Sequence, residues 1–298
     1  MSGKSRTNIF SGLEKIVEKD FPLGENTWFA LGGKAEFFIR PQTVEQLADV
    51  VRRCTENNMP LRILGLGSNL LIRDQGVKGA VVKLDSDHFC KIEYNGLSLS
   101  VGAGADLGKL VLDCVRKGLG GIESLAGIPG SIGGAVKMNA GGIFGDFGSA
   151  VESVTLMDNV GNLFEKNKPE LSFDYRQTNI TAKFILGAQI KLYQADPQQL
   201  LNTVKEIWIY KKNTQPLNTR NAGCVFKNPR GMSAGAMIDR TGLKGTKIGG
   251  AIVSEKHANF IIAEKGCKSG DVISLIDTIK EKVKEKFDVE LELEIEIW

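Results

Sequence analysis

The sequence predicts a mixed helix-and-strand protein of two or three domains, and three observations carry that prediction. Strand-like runs alternate with amphipathic helical stretches from Asn26 onward. The alternation is interrupted between Gly118 and Gly142 by nine glycines in 25 residues. The C-terminal segment alternates apolar and acidic residues with a period of two. At roughly 100–200 residues per domain, a chain of 298 residues accommodates two or three cores.

In order along the chain, residues 1–22 read as a polar leader with one amphipathic turn or helix around Leu13, Ile16 and Val17. AEFFIRP is strand-like, and Thr43 with Gln46 forms a capping box opening a helix on Val44, Leu47, Val50, Val51 and Cys54. LRILGLGSNLL reads as a strand entering a glycine turn and GAVVKL as another strand, closing a first unit, 23–84. A second unit, 85–193, begins with the strand SLSVGAGA. Asp106 then caps a helix buried through Leu107, Leu110, Val111, Cys114 and Val115 and ended by Gly118. The tract 118–142 is too rich in glycine for regular structure. Its apolar residues, among them Ile122, Leu125, Ile132 and Val136, predict backbone wrapped tightly around a ligand.

VESVTLM and KFILGAQIKLY close the second unit as strands. Asp196 and Pro197 supply a cap and an N1 proline for a helix carrying Leu200, Leu201, Val204, Ile207 and Trp208, so the main boundary is expected near residue 194. The third unit, 194–298, holds NAGCVFKNP, GGAIVSEKHANFIIAE and a helix on Val272, Ile273, Leu275, Ile276, Ile279 and Val283. It ends in a strand on Val289, Leu291, Leu293, Ile295 and Ile297.

Composition narrows the function classes. Hydrophobic residues make up 42% and charged residues 24%, as in an ordinary globular chain. Thirty-eight basic against 35 acidic residues leave a formal charge of +3, with no basic stripe interleaved with aromatics. No nucleic-acid partner is expected, whereas a small anion held by a few cations is compatible. Cys54, Cys90, Cys114, Cys224 and Cys267 form no CxxC pair, and only His88 and His257 accompany them. That argues against a disulfide framework and against a metal site, and makes the reducing cytoplasm the default. No apolar stretch suits a signal sequence or reaches the length of about 18 residues that a membrane span needs. A soluble, cytoplasmic monomer is expected.

Three glycine-rich turns, 65–69, 102–108 and 127–134, follow or precede regular elements. Gly65-Leu-Gly67-Ser68-Asn69 resembles the opening of a dinucleotide fingerprint, but Leu70 occupies the third glycine position. The turn from Gly102 to Gly108 leads into a helix with spacing one residue too long, and no GxxxxGK[ST] run exists. A Rossmann fold and a P-loop are therefore set aside. The physical content remains, because backbone N–H groups at such turns bind pyrophosphate oxygens without lysines. An extended nucleotide cofactor is expected; the competing reading is merely tight turns.

The segments NTWFALGGKAEFFIRP, LGLGSNLLIRD, GIESLAGIPGSIGGAVKMNAG, SFDYRQTNI, NAGCVFKNP, KHANFII and LELEIEI resemble the UDP-N-acetylenolpyruvoylglucosamine reductase (UDP-N-acetylmuramate dehydrogenase) family, in family order. Without a large insertion after Asp174-Tyr175-Arg176, the chain resembles that family's shorter form. The resemblance implies an α+β fold: an FAD-binding region of the vanillyl-alcohol oxidase type, in two α+β subdomains, followed by a C-terminal α+β substrate domain. It implies FAD as cofactor, NADPH as reductant, a ping-pong cycle, and UDP-N-acetylglucosamine enolpyruvate as substrate for peptidoglycan precursor synthesis. Cofactor contacts are expected from Gly65, Gly67, Ser68 and Asn69, and from Gly127, Pro129, Gly130, Ser131, Gly133 and Gly134.

Reducing an enolpyruvyl double bond takes a hydride on the terminal methylene carbon and a proton on its neighbour, where negative charge develops, shared with the carboxylate. The family's arginine falls on Arg176, beside Tyr175; the plain reading is a surface salt bridge. The family's proton donor falls on Cys224, where most members carry serine. A thiol with a reference pKa of about 8.5 stays mostly protonated at neutral pH and is able to donate. A lone cysteine there otherwise reads as a small buried hydrophobe. The family's glutamate falls on Glu294, although Glu290, Glu292 and Glu296 share its alternation and read equally as a solvated edge. Lys227 and Asn228 are expected at the substrate's diphosphate, or simply in a turn before Pro229, and His257 as a structural residue. A flavin oxidase of the same fold and a non-catalytic flavin or nucleotide-sugar binder are the competing functions.

Overall fold

The computed structural model describes residues 9–298. It divides into two compact units. Unit 1 takes the described residues up to Phe21, Ala35–Leu66 and Lys78–Trp208; unit 2 takes Pro22–Lys34, Gly67–Val77 and Ile209–Trp298.

Unit 1 is built on two sheets. The first runs in the order Val17–Phe21, Ala35–Ile39, Val77–Lys83, Leu61–Leu64. Its first pair is antiparallel, with Val17 opposite Ile39, and its last pair is parallel, with Leu61 opposite Ala80. The turn expected around Leu13, Ile16 and Val17 is present, but a strand follows it in place of a polar leader. From residue 9 onward the segment forms a short turn, Glu14–Ile16, and then the edge strand Val17–Phe21, with Phe10 and Ile16 buried. The first eight residues of that reading lie outside the described ones. Three consecutive exposed charged residues, Glu18, Lys19 and Asp20, hid the strand, because an edge needs no apolar alternation. Helix α1 (Val44–Glu56) buries Leu47, Val50, Val51 and Cys54 as its spacing predicts. Its Thr43 hydroxyl accepts the Gln46 N–H at 3.3 Å, while the Gln46 side chain takes the N–H of Gln42 rather than that of Thr43.

The second sheet is antiparallel, in the order Leu163–Asn167, Val151–Met157, Phe184–Lys191, Ser98–Gly102, Ile92–Asn95. Helix α2 (Leu107–Arg116) starts at Asp106, whose carboxylate accepts the Lys109 N–H at 2.9 Å, and buries all five predicted apolar residues. The 118–142 tract is more regular than its glycine density predicts, for it contains helix α3 (Ile132–Lys137), capped by Ser131. One hydrophobic core spans both sheets, joining Phe37, Ile39 and Val82 to Leu99, Val154 and Ile190. The stretches 35–66 and 85–193 thus pack as one unit. Helix α4 (Pro197–Thr214) buries Leu200, Val204 and Ile207 but leaves Leu201 and Trp208 exposed.

Unit 2 holds a three-stranded antiparallel sheet, Lys247–Ile248, Ala251–Val253 and Ile261–Ala263, with α5 (Ala234–Arg240) and α6 (Ser269–Phe287). Its core joins Phe29, Leu71, Phe226, Ile238, Val253 and Leu275. Residues 22–34 and 67–77, which sequence order places with the first subdomain, belong to this unit. Leu70–Leu71 pairs in parallel with Glu296–Ile297. The C-terminal alternation survives as burial of Leu291 and Ile295, but the ladder shrinks to Glu296–Ile297 and a bridge between Phe226 and Leu293. Asp74 caps α6 from outside the helix: its carboxylate accepts the N–H of Ser269 at 3.0 Å and of Gly270 at 3.3 Å. Among the described residues no helix is long and apolar enough to cross a membrane.

Candidate active site

The glycine turns meet within unit 1. The N–H groups of Ile132 and Gly133 donate to the carbonyls of Ala105 and Ala103, at 2.9 and 2.8 Å, and Leu107 N–H donates to Gly130 at 3.0 Å. These bonds stitch the 102–108 turn to the 127–134 loop. The 65–69 turn reaches the same loop through Gly65, where an added Cβ would stand 2.6 Å from the Ser131 hydroxyl. At Gly133 a Cβ would press on Ala103 at 3.0 Å, so a larger residue there would push α3 away by a few tenths of an ångström. Ser131 is 5% exposed and caps α3, whereas Gly127, Gly130 and Gly133 are half-buried and Pro129 and Gly134 exposed. With its N–H groups spent on these carbonyls and on the Ser131 hydroxyl, the start of α3 is locked against the 102–108 turn. The unit boundary falls inside the first turn, so Gly67, Ser68 and Asn69 belong to unit 2. There Gly67, at φ +66°, packs on Thr27, and the Asn69 amide donates to the Glu294 carbonyl at 2.9 Å.

Tyr175 and Arg176 form the tip of a hairpin in unit 1, between Phe173–Asp174 and Gln177–Thr178. Arg176 sits at φ +56°, and its guanidinium lies 5.1 Å from the centre of the half-exposed Tyr175 ring. Asn139 holds this hairpin. Its side chain, 4% exposed, donates to the Asp174 carbonyl at 3.0 Å and accepts the Gly148 N–H at 2.9 Å.

Cys224 and Glu294 lie in bonded neighbouring segments of unit 2. Glu294 N–H donates to Val225 C=O at 2.8 Å, and Lys227 N–H donates to Glu292 C=O at 2.9 Å. Glu294 is half-buried while Glu290, Glu292 and Glu296 are exposed, a distinction that alternation alone could not draw. Cys224 is half-buried too, unlike Cys54, Cys114 and Cys267. Burial pushes the thiol of Cys54 up to about 12 and those of Cys114 and Cys267 to about 11, which keeps all three protonated and inert. The Lys227 ammonium stands 3.5 Å from the exposed Glu292 carboxylate, and the Asn228 amide oxygen accepts the Ala234 N–H at 3.0 Å. Burial, and then the nearby Lys244 charge, lowers the pKa of His257; its neutral ring accepts the Asn259 N–H at 3.2 Å.

Four polar residues escaped the sequence reading of roles: Asn139, Asn259, Asp74, and Asn69 in its link to Glu294. Each lies within or beside a segment quoted for the family resemblance. Its bonding partner, however, is between 9 and 225 positions away, beyond what local spacing encodes.

Residues 35–166 match a family model described as an FAD binding domain. A glucose dehydrogenase, wild-type Phl p 4.0202, shares the fold, with a TM-score of 0.51 at 18% identity over 64% of this chain and 44% of that one. The class is therefore a flavoprotein with the α+β FAD-binding fold of the vanillyl-alcohol oxidase type, as expected from the sequence.

Residues 215–298 match the C-terminal domain of UDP-N-acetylenolpyruvoylglucosamine reductase. The proteins of that name from Clostridium botulinum (strain 657 / Type Ba4) and Clostridioides difficile (strain 630) are 40% and 37% identical to this chain. The alignments cover 93% and 97% of this chain and 91% and 95% of those proteins. The crystal structure of the reductase from Thermus caldophilus superposes with a TM-score of 0.82 at 36% identity, over 95% of this chain and 98% of that one. The chain belongs to the UDP-N-acetylenolpyruvoylglucosamine reductase family, and is an oxidoreductase.

Proposed function

We propose that this chain reduces UDP-N-acetylglucosamine enolpyruvate to UDP-N-acetylmuramate with electrons from NADPH, as a cytoplasmic monomer in peptidoglycan precursor synthesis. Family membership and the FAD-binding domain support the reading. The observation that carries it is the direct bond from Glu294 N–H to Val225 C=O, which sets the one half-buried glutamate of the tail beside the segment of a half-buried thiol.

FAD would be held by Gly65, Gly67, Ser68 and Asn69 of the first turn and by Gly127, Pro129, Gly130, Ser131, Gly133 and Gly134 of the 127–134 loop. Bound FAD would supply hydride transfer, from NADPH to the terminal methylene carbon of the substrate. The residues of the chain manage the charge that follows. Arg176 meets the substrate carboxylate with a planar fork that keeps its charge at any working pH, and Tyr175 packs under that guanidinium. Glu294 hydrogen-bonds the same carboxyl group and polarises it. Cys224 gives its S–H proton to the carbon bearing the carboxylate, and the thiolate regains a proton from solvent. Lys227 and Asn228 bind the diphosphate.

The test is anaerobic. NADPH should bleach the flavin absorption of the purified protein, and the enolpyruvyl substrate should restore it. Replacing Cys224 by Ser should retain that second step, while Cys224→Ala should slow it by about a hundredfold, in line with loss of a general acid. Wild-type reoxidation by the Cys224→Ala protein would overturn the donor assignment. Flavin that NADPH reduces but the substrate never reoxidises would overturn the function.

A further inference from the structure

Asn259 lies in the KHANF segment, which the proposed chemistry leaves without a task. It is a polar residue only 2% exposed, and both ends of its amide are used on one residue. Its Oδ1 accepts the Phe226 N–H at 2.9 Å, and its Nδ2 donates to the Phe226 C=O at 2.8 Å. Its own carbonyl accepts the Val225 N–H at 2.8 Å. On the opposite edge, Val225 C=O accepts the Glu294 N–H and Lys227 N–H donates to Glu292. Each backbone polar group of Val225 and Phe226 is therefore paired, although the two lie in no regular ladder. Asn259 stands in for a neighbouring strand on one edge, and the C-terminal segment supplies the other.

Cys224 is the first residue beyond this clamp. On its other side Gly223, at φ +76°, donates its N–H to the Asn221 side chain at 2.9 Å. The backbone is thus anchored on both flanks of the thiol. A side-chain amide is needed for the clamp because it offers a donor and an acceptor together at the right length.

We propose that Asn259 is a positioning residue for Cys224: by clamping Val225 and Phe226 it fixes where the thiol stands relative to Glu294. The proposal rests on the reading of Cys224 as proton donor. It assigns Asn259 no contact with substrate.

The experiment uses flavin-loaded enzyme and times the two half-reactions separately. Asn259→Ser should keep its flavin and its rate of reduction by NADPH. Its reoxidation by the enolpyruvyl substrate should slow by about tenfold or more, a partial loss of general-acid catalysis. The solvent deuterium isotope effect on that step should rise, since proton delivery becomes limiting. A further readout needs no turnover: in a Cys90→Ser background, iodoacetamide labelling of Cys224 should change rate by about threefold or more.

Equal slowing of both half-reactions, with unchanged labelling, would make Asn259 merely structural and overturn the proposal. So would wild-type behaviour beside a slow Cys224→Ala control. If that control itself reoxidises at the wild-type rate, the donor reading falls, and the labelling rate still decides whether Asn259 sets the thiol. Should Asn259→Ser not fold, His257→Ala carries the comparison, since it removes the acceptor of the Asn259 N–H from a half-buried ring. It should slow reoxidation alone, and wild-type kinetics with unchanged labelling there would also refute the clamp.

Discussion

Asn139→Ala tests whether one side chain holds the hairpin that carries Arg176. Three contributions add. The Gly148 N–H is buried and loses its acceptor, which costs about 1–3 kcal/mol for an unpaired buried donor. The Asp174 carbonyl belongs to an exposed residue, so water takes over that bond and the net loss is nearer about 0.5–1 kcal/mol. Asn139 also sits at φ +41°, where alanine is strained by about 1–2 kcal/mol and asparagine is better tolerated. Together these predict a loss of about 4 kcal/mol, a large part of the usual stability of a domain.

Asn139→Gly removes the bonds but not the backbone freedom, so it should be milder than Ala by about 1 kcal/mol. Urea unfolding followed by Trp208 fluorescence reports on unit 1, once Trp28 and Trp298, which belong to unit 2, are replaced by Phe. Losses below about 1 kcal/mol for both variants, or a glycine variant worse than alanine, would refute the reasoning.

Two further outcomes follow from buried charge and from capping. Asp74→Ala should destabilise unit 2 by about 1–2 kcal/mol, because two N–H groups at the start of α6 lose their acceptor; a melting temperature unchanged in that variant would mean water caps the helix equally well. Burial lowers the pKa of Lys211 from 10.5 to about 8, so at pH 7 its charge is carried into the folded state at a cost. Relative to wild type, Lys211→Met should therefore be more stable at pH 7 than at pH 10.5, by about 1–3 kcal/mol. The change should fall between pH 8 and 10.5, where the folded lysine sheds its proton and the unfolded one still holds it. Melts of both proteins across that range check the sign, and an advantage of the variant that does not fall with pH would refute it.

Local spacing settled the elements whose information is local. The apolar faces of α1, α2 and α6 are buried as their periodicity predicts, and Thr43 and Asp106 cap the helices they precede. Motif order alone also sufficed for the family and for the FAD-binding fold, because several long segments in one fixed order admit few alternatives. Tertiary structure decided the rest. Four glutamates with identical alternation differ only in what covers them, and burial separates Glu294 from the others. Glycine density predicted irregular backbone at 118–142, yet α3 forms there, capped by Ser131 and tied by its first N–H groups to Ala103 and Ala105. Residues 22–34 and 67–77 join the C-terminal unit, Asp74 caps a helix 195 positions away, and the Asn259 amide pairs the backbone of Phe226 as a neighbouring strand would. All of these are pairings of polar groups, or close approaches of backbone, between residues remote in sequence. Periodicity reports which face of an element is apolar; only the folded chain determines which distant group completes each hydrogen bond.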